Sequence, residues 1–96
     1  MTNSMKIGIF GSNNDSTVDG VLAEVKAAER DGFASYWQSQ IFGLDALSTL
    51  SVVGHQVPRI ELGTSVIPTY PRHPMMLAQQ ALTANQASGG RLCLGI

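Results

Sequence analysis

The stretch Ile60–Ile67, with the sequence Ile-Glu-Leu-Gly-Thr-Ser-Val-Ile, has Glu61 as its only charged residue. An apolar run without polar alternation is typical of a strand buried on both faces, as in a parallel sheet covered by helices. The following loop, residues 68–73, contains Pro68 and Pro71, which exclude a helix or a central strand there. We therefore place a buried parallel strand at 60–67, with its exit into this loop.

Similar apolar runs flank this strand, and segments with helical spacing separate them. The strands are predicted at 6–10, 33–37, 60–67 and 91–96. The helices are predicted to start at a Ser16 or Thr17 cap, at Leu44 or Asp45 and at Pro74, and to end near Gly32, at Gly54 to Pro58 and at Ser88-Gly89-Gly90. The order βαβαβαβ leaves two α/β architectures open, a doubly wound sheet and part of a (β/α)8 barrel.

Functional residues of both architectures lie in the loops after the C-terminal ends of the strands. These loops are residues 11–15, 38–43 and 68–73. The segment 8–13 has neither the dinucleotide-binding nor the P-loop glycine spacing, so we interpret it as a tight strand exit. Tyr36 and Trp37 alternate in the second strand, so that one should point into a barrel and the other toward the helices.

The composition restricts the class of protein. Of the 96 residues, 44% are hydrophobic and 14% are charged, where a soluble domain carries roughly 25% charged residues. The chain is too apolar for a disordered segment. Its six cations are scattered singly, which excludes a basic nucleic-acid footprint. The low charge indicates that another surface buries part of this one.

The apolar runs, the N-terminal residues and the single cysteine predict where the protein is located. No apolar run approaches the roughly 20 residues of a membrane helix, and the N-terminus lacks the layout of a signal peptide. The single Cys93 excludes an internal disulfide and fits a reducing compartment. We therefore expect a cytoplasmic protein without membrane partners, and we interpret residues 1–4 as a ragged extension before a second start at Met5.

Few single residues indicate a specific chemistry. His55, His73 and Cys93 lie too far apart in the sequence to predict a metal site. We expect His73 to orient the helix start at Pro74, and Cys93 to be buried in its strand and therefore inert.

Hydroxyl groups cluster at the exit of the third strand, on Thr64, Ser65 and Thr69. Burying an unpaired polar group is costly. We therefore expect either a polar ligand or a distorted backbone at this exit.

Several stretches together resemble the luciferase-like monooxygenase superfamily. They are 63–66 (Gly-Thr-Ser-Val), 71–74 (Pro-Arg-His-Pro), 77–83 (Leu-Ala-Gln-Gln-Ala-Leu-Thr) and 88–96 (Ser-Gly-Gly-Arg-Leu-Cys-Leu-Gly-Ile). The similarity runs from Met5 over nearly the whole chain. Within the superfamily, residues 38–45 and 69–74 most resemble the branch that uses the deazaflavin coenzyme F420, and the FMN branch is the alternative.

The resemblance implies that residues 1–96 are the N-terminal half of a luciferase-like (β/α)8 barrel of about 300 residues. It also implies a cofactor ring at the C-terminal mouth, against a bulge with a non-proline cis peptide at Ser65–Val66. The predicted cofactor-binding residues are Phe10, Gln38, Gln40, Ser65, Val66 and Thr69. For the two glutamines, the alternative is that both are solvated loop residues.

The sequence departs from related deazaflavin dehydrogenases just after the second strand. Those proteins carry an Asp-His pair whose histidine helps proton or hydride chemistry, and the matching positions here are Gln40 and Ile41. Isoleucine neither titrates nor hydrogen-bonds through its side chain. That mechanism is therefore not carried over, and no catalytic residue is assigned.

For the whole enzyme, the resemblance implies hydride transfer between F420 and a small organic substrate, with the cofactor supplying the difficult chemistry. One alternative is an FMN-dependent monooxygenase of the same fold. Another is a non-catalytic half-barrel that pairs with a second copy or with a separate C-terminal half, as the low charge favours. We expect no turnover from these 96 residues alone.

Overall fold

A computed structural model describes residues 5–12 and 17–96 of the chain. Four strands alternate with three helices, in the predicted order. They are β1 (Gly8–Phe10), α1 (Val18–Arg30), β2 (Ser35–Gln38), α2 (Ala46–Gln56), β3 (Glu61–Thr64), α3 (Pro74–Ala87) and β4 (Leu92–Cys93). The expectations for residues 1–4, for the loop residues 13–15 and for a Ser16 cap lie outside the described residues. No helix in the described ranges is long and apolar enough to cross a membrane.

The order of the strands decides between the two architectures that the sequence leaves open. All neighbouring strands are parallel, and they follow one another as β1-β2-β3-β4 without a reversal. A doubly wound sheet reverses its order at a switch point, whereas a (β/α)8 barrel adds each strand beside the previous one. The sheet is therefore one wall of a barrel.

The helices cover one face of this sheet. Tyr36 and Leu62 are neighbours in the β2–β3 register, and both lie in one buried cluster with Val25 of α1 and Leu50 of α2. Leu92 of β4 packs against this cluster and against a second one formed by α2 and α3. As expected, Tyr36 of the alternating pair therefore points toward the helices.

The other face of the sheet is open, which corrects two expectations. Side chains alternate between faces along a strand, and the register aligns Phe10, Trp37, Gly63 and Cys93 on this second face. Phe10 is 55% exposed, and Cys93 is exposed. The prediction of a buried Cys93 is therefore wrong. Two-sided burial fails for β1 and β4 but holds for residues 62–64 of β3, which are all buried.

The helix starts agree closely with the sequence. Thr17 caps α1 by accepting a hydrogen bond from the Gly20 N–H at 3.0 Å, and Asp45 caps α2 by accepting one from the Ser48 N–H at 2.9 Å. His73 orients the start of α3, as expected, because its Nδ1 accepts from the Met75 N–H at 3.1 Å.

Several strands are shorter or shifted: β1 starts at Gly8 rather than at 6, β2 spans Ser35–Gln38 rather than 33–37, and β4 covers only Leu92–Cys93 of the predicted 91–96. The end of α2 lies within the predicted interval from Gly54 to Pro58. Helix α2 continues through Gly54 to Gln56. Gly54 is a packing residue and not a terminator, because a Cβ atom there would lie 2.8 Å from Ser88 Cβ and 2.9 Å from Leu62 Cδ1. Strand β3 ends at Thr64 rather than at 67.

Arg91, directly before β4, holds several backbone segments together. Its guanidinium donates to the carbonyl oxygens of Gly54 and Val57 at the end of α2, at 2.8 and 2.7 Å, and to that of Ile60 before β3, at 2.8 Å. Its Nε donates to the carbonyl oxygen of Ser88, at the end of α3. The planar fork of an arginine can serve several acceptors at once. One side chain therefore joins the α2–β3 connection to the α3–β4 connection.

We expect Arg91→Met to lower the free energy of unfolding by about 3 kcal/mol, because several buried carbonyl oxygens lose their donor. Arg91→Lys keeps the charge without the fork, so the loss should be roughly half as large. Arg59 is exposed, and Arg59→Met is the control, with an expected change within about 0.5 kcal/mol. Urea unfolding followed by circular dichroism measures all three variants. Equal losses for the two methionine variants would contradict the role of Arg91.

A second prediction concerns Gly63, whose missing side chain makes room for the ring of Trp37 on the open face. We expect Gly63→Ala to cost about 1–3 kcal/mol, because the added methyl group collides with the ring. It should also change the fluorescence of Trp37, the only tryptophan. Gly43→Ala is the control, since a Cβ there meets nothing within 4 Å. Unchanged Trp37 emission in Gly63→Ala would count against this packing.

Candidate functional site

The carboxyl ends of the parallel strands lie along one edge of the sheet, which is the mouth of the barrel wall. Phe10 and Gln38 are the last residues of β1 and β2. Gln38 is the register neighbour of Thr64, the last residue of β3, and its carbonyl oxygen accepts from the Ser65 N–H at 2.8 Å. The structure therefore brings Phe10, Gln38 and Ser65 of the predicted set to the same edge.

The peptide bond between Ser65 and Val66 is cis, as the resemblance implies. It lies directly after β3, and the side chain of Val66 is 51% exposed. The bond is therefore at the strand exit that the sequence marks with hydroxyl groups.

The buried hydroxyl of Thr64 is used by the backbone of the neighbouring strand exit. Its Oγ1 donates to the Gly95 carbonyl oxygen at 2.9 Å and accepts from the Gly95 N–H at 2.8 Å. The Ile67 N–H donates to the same carbonyl oxygen at 3.0 Å. The Thr64 hydroxyl therefore needs no ligand, because the backbone of Gly95 satisfies it.

Gln38 differs from every other described residue at this edge. Its Oε1 is buried and has no hydrogen-bond partner within the described part of the chain. A buried acceptor without a donor costs free energy, and such groups call for an explanation. Gln38 is therefore the strongest candidate in the predicted set for a contact with a polar ligand.

Gln40 has a local structural contact instead. Its Oε1 accepts from the Ala46 N–H at 2.8 Å, at the first residue of α2. This oxygen is thus engaged, and only the amide N–H groups of Gln40 remain for a ligand. Ile41, at the position where related dehydrogenases carry histidine, is exposed.

The loop after β3 carries the last predicted residue, Thr69, which is exposed. The Thr69 carbonyl oxygen accepts from the Arg72 N–H at 3.1 Å and closes a turn. Arg72 in turn forms an ion pair with Asp45 and donates to Gln80 Oε1 at 2.6 Å. Sequence reasoning missed this contact, although Arg72 is the only Lys, Arg, Asp or Glu between Glu61 and Arg91.

Asp45 is the one described group with a resolved shift in its pKa. Burial raises this pKa, but the hydrogen bonds from the Ser48 hydroxyl and N–H, and then the Arg72 guanidinium, outweigh burial and hold it below its usual value. Asp45 is therefore ionised at neutral pH. Its carboxylate stabilises both the start of α2 and the loop after β3.

The described residues contain no cluster of three His, Cys, Asp or Glu side chains that could hold a metal ion. His55 is exposed at the end of α2, and its Nδ1 lies 3.4 Å from the Ala87 carbonyl oxygen. The site consists instead of apolar side chains, glutamines and backbone groups. Such a lining suits an organic ligand with a few polar atoms, and the role of the predicted set in holding one stays a prediction.

Residues 5–96 match the family model of the luciferase-like monooxygenases. A putative coenzyme F420-dependent oxidoreductase of Mycobacterium tuberculosis is 42% identical over 72 residues, which are 75% of this chain and 21% of that protein. A 5,10-methylenetetrahydromethanopterin reductase of Methanolobus tindarius is 36% identical over 72 residues, which are 74% of this chain and 22% of that protein. The chain therefore spans about a fifth of the length of these relatives.

A solved structure gives the same result. The coenzyme F420-dependent tetrahydromethanopterin reductase of Methanopyrus kandleri matches 93% of this chain with a TM-score of 0.84 and 26% identity, over 26% of its own length. With the β1-β2-β3-β4 order, this confirms the fold as the N-terminal half (βαβαβαβ) of a (β/α)8 barrel. The chain belongs to the luciferase-like monooxygenase family.

Proposed function

We propose that this protein is an F420-dependent oxidoreductase, and that residues 5–96 form part of the wall of its cofactor pocket. In the whole protein, hydride passes between F420 and a small organic substrate. Support comes from two similar proteins that are described as F420-dependent, one 42% identical in sequence and one with a TM-score of 0.84. The substrate itself is left open.

The observation that carries this proposal is the buried, unpartnered Oε1 of Gln38 at the mouth. A deazaflavin has a ring N–H group that can donate to such an acceptor. Exposed apolar side chains at the same edge, Phe10 and Val66, offer a surface against which a flat ring can pack. The residues present therefore fit the cofactor.

When bound, the cofactor supplies the hydride chemistry. The residues of this chain would orient it and exclude water. The side chains of Phe10 and Val66 would cover its apolar surface. Gln38 alternates with Trp37 and its Oε1 is buried, so its side chain would have to turn toward the mouth to accept a hydrogen bond from the ring. Ser65 is held by its hydrogen bond to Gln38, so that the backbone beside the ring would move little on binding.

The proposal includes a second wall for the open face of the sheet. Phe10 exposes large apolar surface on this face, and Cys93 is exposed beside it; a closed barrel covers such side chains from the opposite side. Further sequence or a second copy of the chain would provide this wall. Native mass spectrometry and the binding of a hydrophobic dye test for this second wall. A folded monomer of 10.2 kDa that binds no dye would contradict the proposed need for it.

The cofactor assignment is tested by titrating the purified protein separately with F420 and with FMN. We expect F420 to quench the fluorescence of Trp37, which lies on the open face of the sheet, and FMN to bind more weakly. Binding of FMN without a response to F420 would overturn the proposed function in favour of a flavin-dependent member of the family.

The variant Gln38→Met should have opposite effects on binding and on stability. It removes the ligand acceptor, so the affinity for F420 should fall about tenfold. It also removes a buried oxygen without a donor, so the ligand-free protein should gain about 1 kcal/mol. The control Gln56→Met changes an exposed glutamine at the end of α2 and should alter neither quantity. Loss of stability in Gln38→Met would show that Gln38 is a structural residue.

A further inference from the structure

The loops that follow β2 and β3 meet through the side chain of Arg72. Its Nη2 pairs with Asp45 Oδ1, and its Nη1 donates to Gln80 Oε1 of α3. The side chain of Arg72 is only 12% exposed, and that of Asp45 is 33% exposed. Solvent therefore screens this contact less than it screens a surface ion pair. We call these three side chains the Arg72 latch.

Asp45 has a second task, because its other carboxylate oxygen holds the start of α2. Asp45 Oδ2 accepts from the Ser48 N–H at 2.9 Å and from the Ser48 hydroxyl at 2.6 Å. One carboxylate thus fixes the helix start with one oxygen and the β3–α3 loop with the other. A movement of either element would disturb the other.

The loop between β2 and α2 reaches the same helix start from the other side. Gln40 accepts from the Ala46 N–H, at the residue that follows Asp45. The N-terminus of α2 is therefore attached to loop 39–45 through Gln40 and to loop 65–73 through Arg72. The second loop carries the exposed residues Val66 and Thr69 of the predicted cofactor-binding set.

We infer that Arg72 is a positioning residue, which holds loops 39–45 and 65–73 in one arrangement by binding Asp45 at the start of α2 and Gln80 in α3 at the same time. At the mouth, Arg72 acts by fixing the loop that carries Val66 and Thr69, and not by contacting a ligand itself. Loss of the latch therefore loosens both loops together. Only the effect on ligand affinity rests on the proposed function.

Hydrogen–deuterium exchange of the purified, ligand-free protein tests the coupling directly. The variant Arg72→Met removes both contacts of the latch. Asp45→Asn removes the ion pair but keeps a good cap for α2, because asparagine caps helices about as well as aspartate. We expect about tenfold faster exchange in loops 65–73 and 39–45 for both variants.

Which peptides exchange faster distinguishes a positioning role of Arg72 from a general loss of stability. Peptides of β2, β3 and α1 should exchange at the wild-type rate in both variants, since local opening leaves them protected. The double variant Asp45→Asn with Arg72→Met should exchange no faster than Arg72→Met alone, because Arg72→Met already removes the ion pair that Asp45→Asn breaks. Arg72→Lys, which can reach one acceptor but not both, should be intermediate.

A matched ion-pair control is available on α1. Arg30 and Asp31 form an exposed pair, with side chains 73% and 58% exposed. Asp31→Asn removes a charge from that pair as Asp45→Asn does from the latch, and it should leave exchange in both loops unchanged. Faster loop exchange in Asp31→Asn would mean that the effect is a general response to lost charge.

Titration with F420 adds the functional readout. We expect Arg72→Met to weaken binding about tenfold and Arg72→Lys to recover part of this loss. If the wild-type protein binds no F420, the proposed function fails, and the exchange data alone decide on the latch. Unchanged exchange in loop 65–73 for Arg72→Met, or faster exchange spread over the whole sheet, would overturn the inference.

Discussion

The arrangement of this chain depends first on the guanidinium of Arg91. It donates to backbone carbonyl groups at the end of α2, before β3 and at the end of α3. Helix ends leave carbonyl groups without partners, and a buried helix end needs a donor from elsewhere. Here, one side chain serves several of them and sets how far α2 and α3 lie from the strands they precede.

The two edges of the sheet, where strands begin and where they end, are thus stabilised by different contacts. Arg91 fixes the edge where strands begin, which in (β/α)8 barrels is the edge that serves stability. The opposite edge is held by smaller contacts, between Thr64 and Gly95 and between Arg72 and Asp45. At this edge the buried Gln38 oxygen has no partner among the described residues, and the Val66 side chain is exposed. A rigid base with a more lightly held mouth suits a ligand site on loops.

The low content of charged residues, 14%, now has a structural explanation. Part of it comes from the open face of the sheet, where Phe10, Trp37, Gly63 and Cys93 align without a charged neighbour in the register. Helix α3 adds to it, with no Lys, Arg, Asp or Glu over residues 74–87. Surfaces of this kind are typical of contacts with other parts of a larger structure.

The sequence alone determined the order of the elements and placed the helix starts to within a residue, because these depend on local periodicity and on caps within a few residues. It left Ser16 or Thr17 open for α1 and Leu44 or Asp45 for α2, and the structure shows Thr17 and Asp45 as the caps. Its resemblance to a family supplied the barrel and the cis bond after Ser65. Only the tertiary structure decided the partners of Arg72 and Arg91 and the exposure of Cys93. The contacts of Arg72 with Asp45 and of Arg91 with Ile60, Val57 and Gly54 join residues 27 to 37 positions apart. Which groups meet over that separation depends on strand register and helix packing.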